Sequence, residues 1–169
     1  FCLDRSGSMK GDDWQALNVS VQEFLKMCDT PGSTHAISIV TFGSNATDVL
    51  VMEPVATAQA YSLGDVHGGT SFGPPLRQAH HHFTNGLQQR PDLTPVLVFM
   101  SDGSNSDQGA PTDDSLTELL SIQGLDSHFI FFGSSGRGST YLQNMATRLN
   151  GNFHQSTDGV QLEQTFKTI

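Results

Sequence analysis

Between positions 11 and 28 the apolar side chains recur every three or four residues, at Trp14, Leu17, Val21, Phe24, Leu25 and Cys28. That spacing draws one stripe along an amphipathic helix. Asp12 and Asp13 fall in its first turn, where carboxylates suit the helix dipole, and Asp29-Thr30-Pro31-Gly32 ends it. The period then changes. Ala36 to Phe42 is β-branched and aromatic, Gly43-Ser44-Asn45 is a turn, and Thr47 to Met52 is a second strand, which together predict a hairpin. A short helix is expected around Ala56 to Tyr61. Pro74-Pro75 opens a helix to about Phe83, which Asn85-Gly86 closes. Pro95 to Met100 is continuously apolar, as in a strand buried on both faces. Thr112 is the expected N-cap of a helix reaching about Ile122. Then come a buried strand at His128 to Phe132, a helix at Tyr141 to Leu149, a short strand at Asn152 to His154 and a last helix from Val160.

Strands alternating with helices predict an α/β fold on a mostly parallel sheet. Such sheets bind ligands beyond the carboxyl ends of their strands, near the point where the strand order reverses. With 169 residues, no repeat and no linker, the chain reads as a single domain over 1–169. Its opening Phe1-Cys2-Leu3, running at once into Asp4, reads as the tail of a buried strand whose beginning is missing, so the expectation is a domain with a truncated first strand. Compartment is left open by such a fragment. Two cysteines are too few for a disulfide framework. Eight Lys and Arg against 17 Asp and Glu give a net charge of −9, which argues against a nucleic-acid or anionic-membrane surface. The apolar runs are strand-sized, well short of the ~18 residues of a membrane span.

The chemistry gathers where strands end. The first strand runs into Asp4-Arg5-Ser6-Gly7-Ser8, a central loop holds Gly68-Gly69-Thr70, and the buried strand around Phe99 ends in Ser101-Asp102-Gly103. Carboxylates and hydroxyls are hard oxygen donors, suited to Mg²⁺, Mn²⁺ or Ca²⁺ rather than zinc or copper. Two carboxylates roughly neutralise a divalent ion, and neutral hydroxyls leave it able to take an outside anion.

Asp4-Arg5-Ser6-Gly7-Ser8 resembles the Asp-x-Ser-x-Ser signature of the von Willebrand factor type A (VWA) domain, and Thr70 and Asp102 match the remaining positions of that family's metal-ion-dependent adhesion site (MIDAS). Val96 to Gly103 is similar to the family's central strand and last metal motif, so the resemblance covers nearly the whole chain. It implies a three-layer, doubly wound, Rossmann-like fold with one antiparallel edge strand, here Thr47 to Met52. It also implies a binding module rather than an enzyme. Ser6, Ser8 and Thr70 would coordinate Mg²⁺ (or Mn²⁺ or Ca²⁺) through hydroxyls, and Asp4 and Asp102 directly or through water. A protein partner would complete the coordination with an Asp or Glu carboxylate. Seven acids and no Lys or Arg lie between Pro91 and Gly136, which favours a partner carrying basic residues beside that carboxylate.

Other motifs compete. Gly69-Thr70-Ser71-Phe72-Gly73 matches the nucleophile elbow of serine hydrolases, and Asp126 and His154 follow in hydrolase order. The residues before it do not read as a buried strand, which an elbow requires. The glycine-rich 133–138 segment lacks the P-loop ending. His80-His81-His82 point about 100° apart on a helix and cannot chelate one ion, and they read as a partly exposed face. His67, three residues before Thr70, reads as a loop histidine or a pH-dependent modulator. Asp102-x-Ser104-x-Ser106 begins like a calcium loop but has Asp107 and Asp113 where an EF-hand needs glycine and glutamate. Asn18 and Asn45 open glycosylation sequons, Asn45 in the more exposed setting.

Overall fold

The computed structural model describes residues 1–103, 105–106, 110–133 and 137–169, with backbone alone at 110, 111 and 137. In chain order these form β1 (Cys2–Asp4), a one-turn 3-10 helix (Gly7–Met9), α1 (Asp12–Cys28), β2 (Ala36–Phe42), β3 (Ala46–Pro54), α2 (Val55–Ala58) and α3 (Gly73–Gln89). They continue with β4 (Val96–Ser101), α4 (Ala110–Leu119), β5 (Asp126–Phe132), α5 (Arg137–Arg148), β6 (Asn152–Ser156) and α6 (Gly159–Phe166).

The strands form one sheet in the order β3-β2-β1-β4-β5-β6. Every neighbouring pair is parallel except the β2–β3 hairpin. Alternation along the strands builds a core on each face. Ile130 and Phe132 of β5 join Leu17, Val21 and Leu25 of α1 and Leu162 and Phe166 of α6. Phe129 and Phe131 join Leu76 of α3, Leu116 of α4 and Leu142 of α5. This is the three-layer, mostly parallel α/β arrangement with an antiparallel edge strand that the sequence predicts. The strand order reverses between β1 and β4, so their carboxyl ends, Asp4 and Ser101-Asp102, flank a topological switch point.

Several helix boundaries differ from the sequence reading, α2 ending at Ala58 instead of Tyr61 and α4 at Leu119 instead of about Ile122. The α3 helix continues past Asn85-Gly86 to Gln89. Gly86 is buried, and a Cβ there would stand 2.9 Å from Met52 Sδ, so this glycine admits β3 to the helix instead of ending it. The α4 helix begins at Ala110, before Thr112, whose hydroxyl accepts a hydrogen bond from Asn105 Nδ2 (2.9 Å) instead of capping the helix. The α5 helix likewise starts at Arg137, ahead of Tyr141. His82 is the exception on the histidine face. It is buried, with Nε2 3.1 Å from an Asp48 carboxylate oxygen, and burial lowers its pKa. Cys2 and Cys28 are both free thiols.

Candidate metal centre

The end of β1 turns sharply. Ser6 N–H donates to Asp4 Oδ1 (2.7 Å), and the 3-10 turn that follows brings the Ser6 and Ser8 hydroxyls to 3.1 Å from each other. Ser8 Oγ in turn donates to Asp102 Oδ1 (2.9 Å). A carboxylate from β1, two hydroxyls from the turn and a carboxylate beyond β4 therefore share one cup. Thr70, on the central loop, lies beside the residue that follows Asp102, its Oγ1 3.4 Å from where a Cβ would stand on Gly103.

Backbone hydrogen bonds tie the three loops together. Gly7 N–H donates to Gly68 O (3.0 Å), His67 N–H to Arg5 O (2.8 Å) and Ser106 N–H to Thr70 O (2.7 Å). Ser71 N–H donates to Gly43 O (2.8 Å), and Gly69 N–H to Ser44 Oγ (3.0 Å). The β2–β3 turn thus braces the loop that carries Thr70. Gly68 has φ +84°, in the left-handed region that glycine alone adopts without strain. Below the cup, the rings of Phe42, Phe72, Phe99 and Phe129 form one packed cluster, with Phe42–Phe99 and Phe72–Phe99 centroids 5.0 and 5.1 Å apart.

The sequence reading missed Ser101. Its hydroxyl donates to Asp4 Oδ2 (2.5 Å) and accepts from Gly103 N–H (3.1 Å), so it orients the buried carboxylate and turns the chain into the Asp102 loop. A lone serine ending an otherwise apolar buried strand was the available signal. Asp13 was missed as well. Burial raises the pKa of Asp102 most, the hydrogen bond from Ser8 opposes it, and the charge of nearby Asp13 adds a smaller upward push.

Asp4 is fully buried, and desolvation above all, with Asp102 adding repulsion, pushes its pKa up to about 6 despite hydrogen bonds from Ser101 and Ser6. Among the described residues no Lys, Arg or His stands within ion-pair distance of Asp4 or Asp102. Nor do three or more His, Cys, Asp or Glu side chains gather into a potential ligand cluster among them. The two carboxylates are joined by hydroxyls, a hard-oxygen donor set that fits Mg²⁺, Mn²⁺ or Ca²⁺. A buried carboxylate left without a counter-charge is costly, and a divalent cation would relieve it.

The rival motifs do not assemble. Ser71 lies beyond the carboxyl ends of the strands, bonded to Gly43, and no strand precedes it between Tyr61 and Thr70. Asp126 begins β5, at the opposite end of a seven-residue strand, about 20 Å away at strand rise. Asp126 and His154 do meet through His128, whose Nδ1 is 3.1 Å from His154 Nε2 and whose Nε2 is 3.2 Å from Asp126 Oδ1. That group sits at the far end of the sheet from Ser71. His67 is exposed, its Nδ1 3.2 Å from Asp65 O. Asp92 and Asp113 pair with Arg90 and Arg148, so the acidic 91–136 stretch does not ring the cup as a whole. Residues 104, 107–109 and 134–136, with the glycine-rich loop and the calcium-loop pattern, lie outside the described residues.

An open, doubly wound sheet with carboxylates and hydroxyls gathered at its switch point defines a class of three-layer α/β domain. The family model of the von Willebrand factor type A domain matches residues 1–168, and the chain belongs to that family. Domains of the family are in general adhesion or assembly modules, and some carry MIDAS metal sites that mediate protein interactions. The fold resembles a von Willebrand factor type A protein from Catenulispora acidiphila, with TM-score 0.81, 20% identity, and 99% of this chain and 40% of that chain covered. It also resembles proximal thread matrix protein 1 from the mussel byssus, with TM-score 0.77, 20% identity, and coverage of 99% and 44%. A form of that protein with a zinc-occupied MIDAS motif gives TM-score 0.77, 18% identity, and coverage of 99% and 45%. The chain thus spans less than half the length of these solved proteins. No curated protein sequence matches it. No described helix is long and apolar enough to cross a membrane.

Proposed function

We propose that the chain is a divalent-metal-dependent protein-binding module, adhesive or assembling, and not a catalyst. The observation that carries this reading is the convergence of Ser6, Ser8 and Asp102 over the buried, uncompensated carboxylate of Asp4. Asp4, Ser6, Ser8, Thr70 and Asp102 would hold Mg²⁺, with Mn²⁺ or Ca²⁺ as substitutes. The ion would supply an electrophilic centre for an outside carboxylate. Ser101 orients the Asp4 carboxylate, and the hydrogen bonds among the three loops keep the hydroxyls in place. An Asp or Glu side chain of a partner protein completes the site.

Titration with Mg²⁺ or Mn²⁺, followed by thermal unfolding, tests the metal. An ion that binds only the folded state adds about 2.7 kcal/mol at 100 times its Kd. EDTA is expected to reverse the gain, and Asp102→Ala to abolish it. A natural chain indifferent to both ions overturns the assignment.

Asp102 and Asp13 leave the rim of the cup acidic, so the partner carries basic residues beside its coordinating carboxylate. Peptides with one Asp flanked by lysines are expected to bind better than all-acidic ones, with an advantage that shrinks as salt rises. The reverse ranking contradicts this partner chemistry.

A further inference from the structure

Gly138 lies in the first turn of α5 and is buried. Its φ is outside the left-handed region, so the backbone there does not call for glycine. Space does. A Cβ on Gly138 would stand 2.5 Å from Gly103 O, 2.9 Å from Gly103 C and 3.0 Å from Phe131 Cε2. Carbon atoms at ordinary contact are about 3.5–4.0 Å apart. The nearest obstacle is main chain, which cannot rotate aside as a side chain would. The first turn of α5 is thus seated on the carbonyl of the residue that follows Asp102.

Strand pairing explains the approach. β4 and β5 run in parallel to their ends, with Ser101 opposite Phe131, so the chain leaving β5 emerges beside the chain leaving β4. Gly133 is tied to β6 at that point. Its N–H donates to Ser156 O (2.8 Å), and its carbonyl accepts from Gln155 Nε2 (3.1 Å). Leu142, Met145 and Ala146 anchor α5 in the core that Phe131 shares, which resists any retreat of the helix.

Gly103 is hemmed in on its other side as well. Thr70 Oγ1 and Ser101 Oγ stand 3.4 and 3.8 Å from its own Cβ position. Its N–H donates to the Ser101 hydroxyl, which donates in turn to Asp4. Asp102, one residue earlier, accepts from Ser8. A push on the Gly103 carbonyl therefore bears on Thr70, on Asp102 and, through Ser101, on Asp4. A close-packed interior passes such a displacement on instead of absorbing it.

We propose that Gly138 is a positioning residue for the metal centre: by admitting the first turn of α5 to the Gly103 carbonyl, it fixes where Asp102 stands. This inference rests on the proposed metal reading of the cup. Linkage makes the effect reciprocal, so an ion that fixes Asp102 also steadies the first turn of α5.

The test compares Gly138→Ala and Gly151→Ala with the natural chain, reading Mg²⁺ affinity by calorimetry at a temperature where each is folded. Alanine is the better helix former, so helix propensity alone favours Gly138→Ala. The expected result is the opposite, a Mg²⁺ affinity weakened about tenfold or more, as when a group that orients a metal ligand is lost. Gly151→Ala controls for a general loss of stability. Its Cβ would meet Ser127 O at 2.5 Å, ahead of β6 at the end of the sheet away from the cup. It is expected to lower Tm and to leave the Mg²⁺ Kd within about twofold. A second measurement needs no variant. The Tyr141 and Leu142 amides close the first turn of α5 onto Arg137 O and Gly138 O. Saturating Mg²⁺ is expected to slow their exchange about tenfold more than that of Leu162, whose amide closes the first turn of α6 onto Asp158 O. A natural Mg²⁺ affinity in Gly138→Ala overturns the proposal, as does equal weakening in Gly151→Ala or equal protection of α5 and α6. A natural chain with no response to Mg²⁺ overturns the metal reading itself, and this inference with it, before any variant is compared.

Discussion

In EDTA at pH 7, Asp4→Asn is expected to be more stable than the natural chain, by roughly 3 kcal/mol, or about 6 °C or more in Tm. The sign follows from the raised pKa. The folded protein holds the Asp4 proton up to about pH 6, whereas an unburied Asp titrates at 3.8. Stability from this group is fully present below the unfolded pKa and is lost as pH climbs from about 4 through 6. At pH 7 the carboxylate is charged, buried and unpaired, and the neutral amide removes that cost. The amide introduced by the substitution still accepts from Ser6 N–H through its oxygen, and its nitrogen can donate to the Ser101 hydroxyl. The difference between the two pH–stability curves isolates Asp4 from His82 and His154, whose lowered pKa values act in the opposite direction. The same variant is expected to lose its stabilisation by Mg²⁺, because it lacks the buried charge that the ion would neutralise. A variant less stable than the natural chain in EDTA at pH 7 contradicts this account.

Phe99→Ala is expected to cost about 3–5 kcal/mol, and roughly 10 °C in Tm. Phe99 is fully buried and its ring touches Phe42, Phe72 and Phe129, the middle of the cluster beneath the cup. Each neighbour leads into one part of the site. Phe42 precedes the Gly43 turn, Phe72 follows Thr70 and Ser71, and Phe99 itself precedes Ser101 and Asp102 on β4. A cavity there loosens all three loops, so the affinity for Mg²⁺ is expected to fall along with stability. Chemical denaturation with and without ion measures both. A loss under about 1 kcal/mol would mean that the cluster does not support the site.

The alternating strands and helices were legible because each presents its period plainly, as the Trp14 to Cys28 stripe and the Val96 to Met100 run show. Helix ends were less so. Gly86 and Thr112 have the residue types of a stop and a cap, yet both serve tertiary contacts, with Met52 and with Asn105, that no local pattern encodes. The residues proposed to hold the metal stand in short motifs that carry their own spacing, and the structure brings Ser6, Ser8 and Asp102 of that set into contact. The serine that ends the apolar β4 run is visible in the sequence, but its role, like that of Asp13, depends on which strand and helix end lie beside Asp4 and Asp102. The hydrolase order of Ser71, Asp126 and His154 failed for the converse reason. Order along the chain does not say at which end of a strand a residue stands, and Asp126 opens β5.

The strand order has a kinetic consequence. Asp4 and Ser101 touch across 97 positions of chain, and Ser8 and Asp102 across 94. The cup therefore does not exist until β4 docks beside β1 and the long loop between them has closed. Closure on that scale is slow and brings no local reward before it is complete. An ion that needs both strands has little to hold in the folding transition state, so its binding energy falls on the native side of the barrier. An ion bound there would act chiefly as a brake on unfolding and leave the folding rate nearly unchanged. Under the proposed function, in which a partner carboxylate pulls on the metal, resistance to opening would be the useful half of that balance.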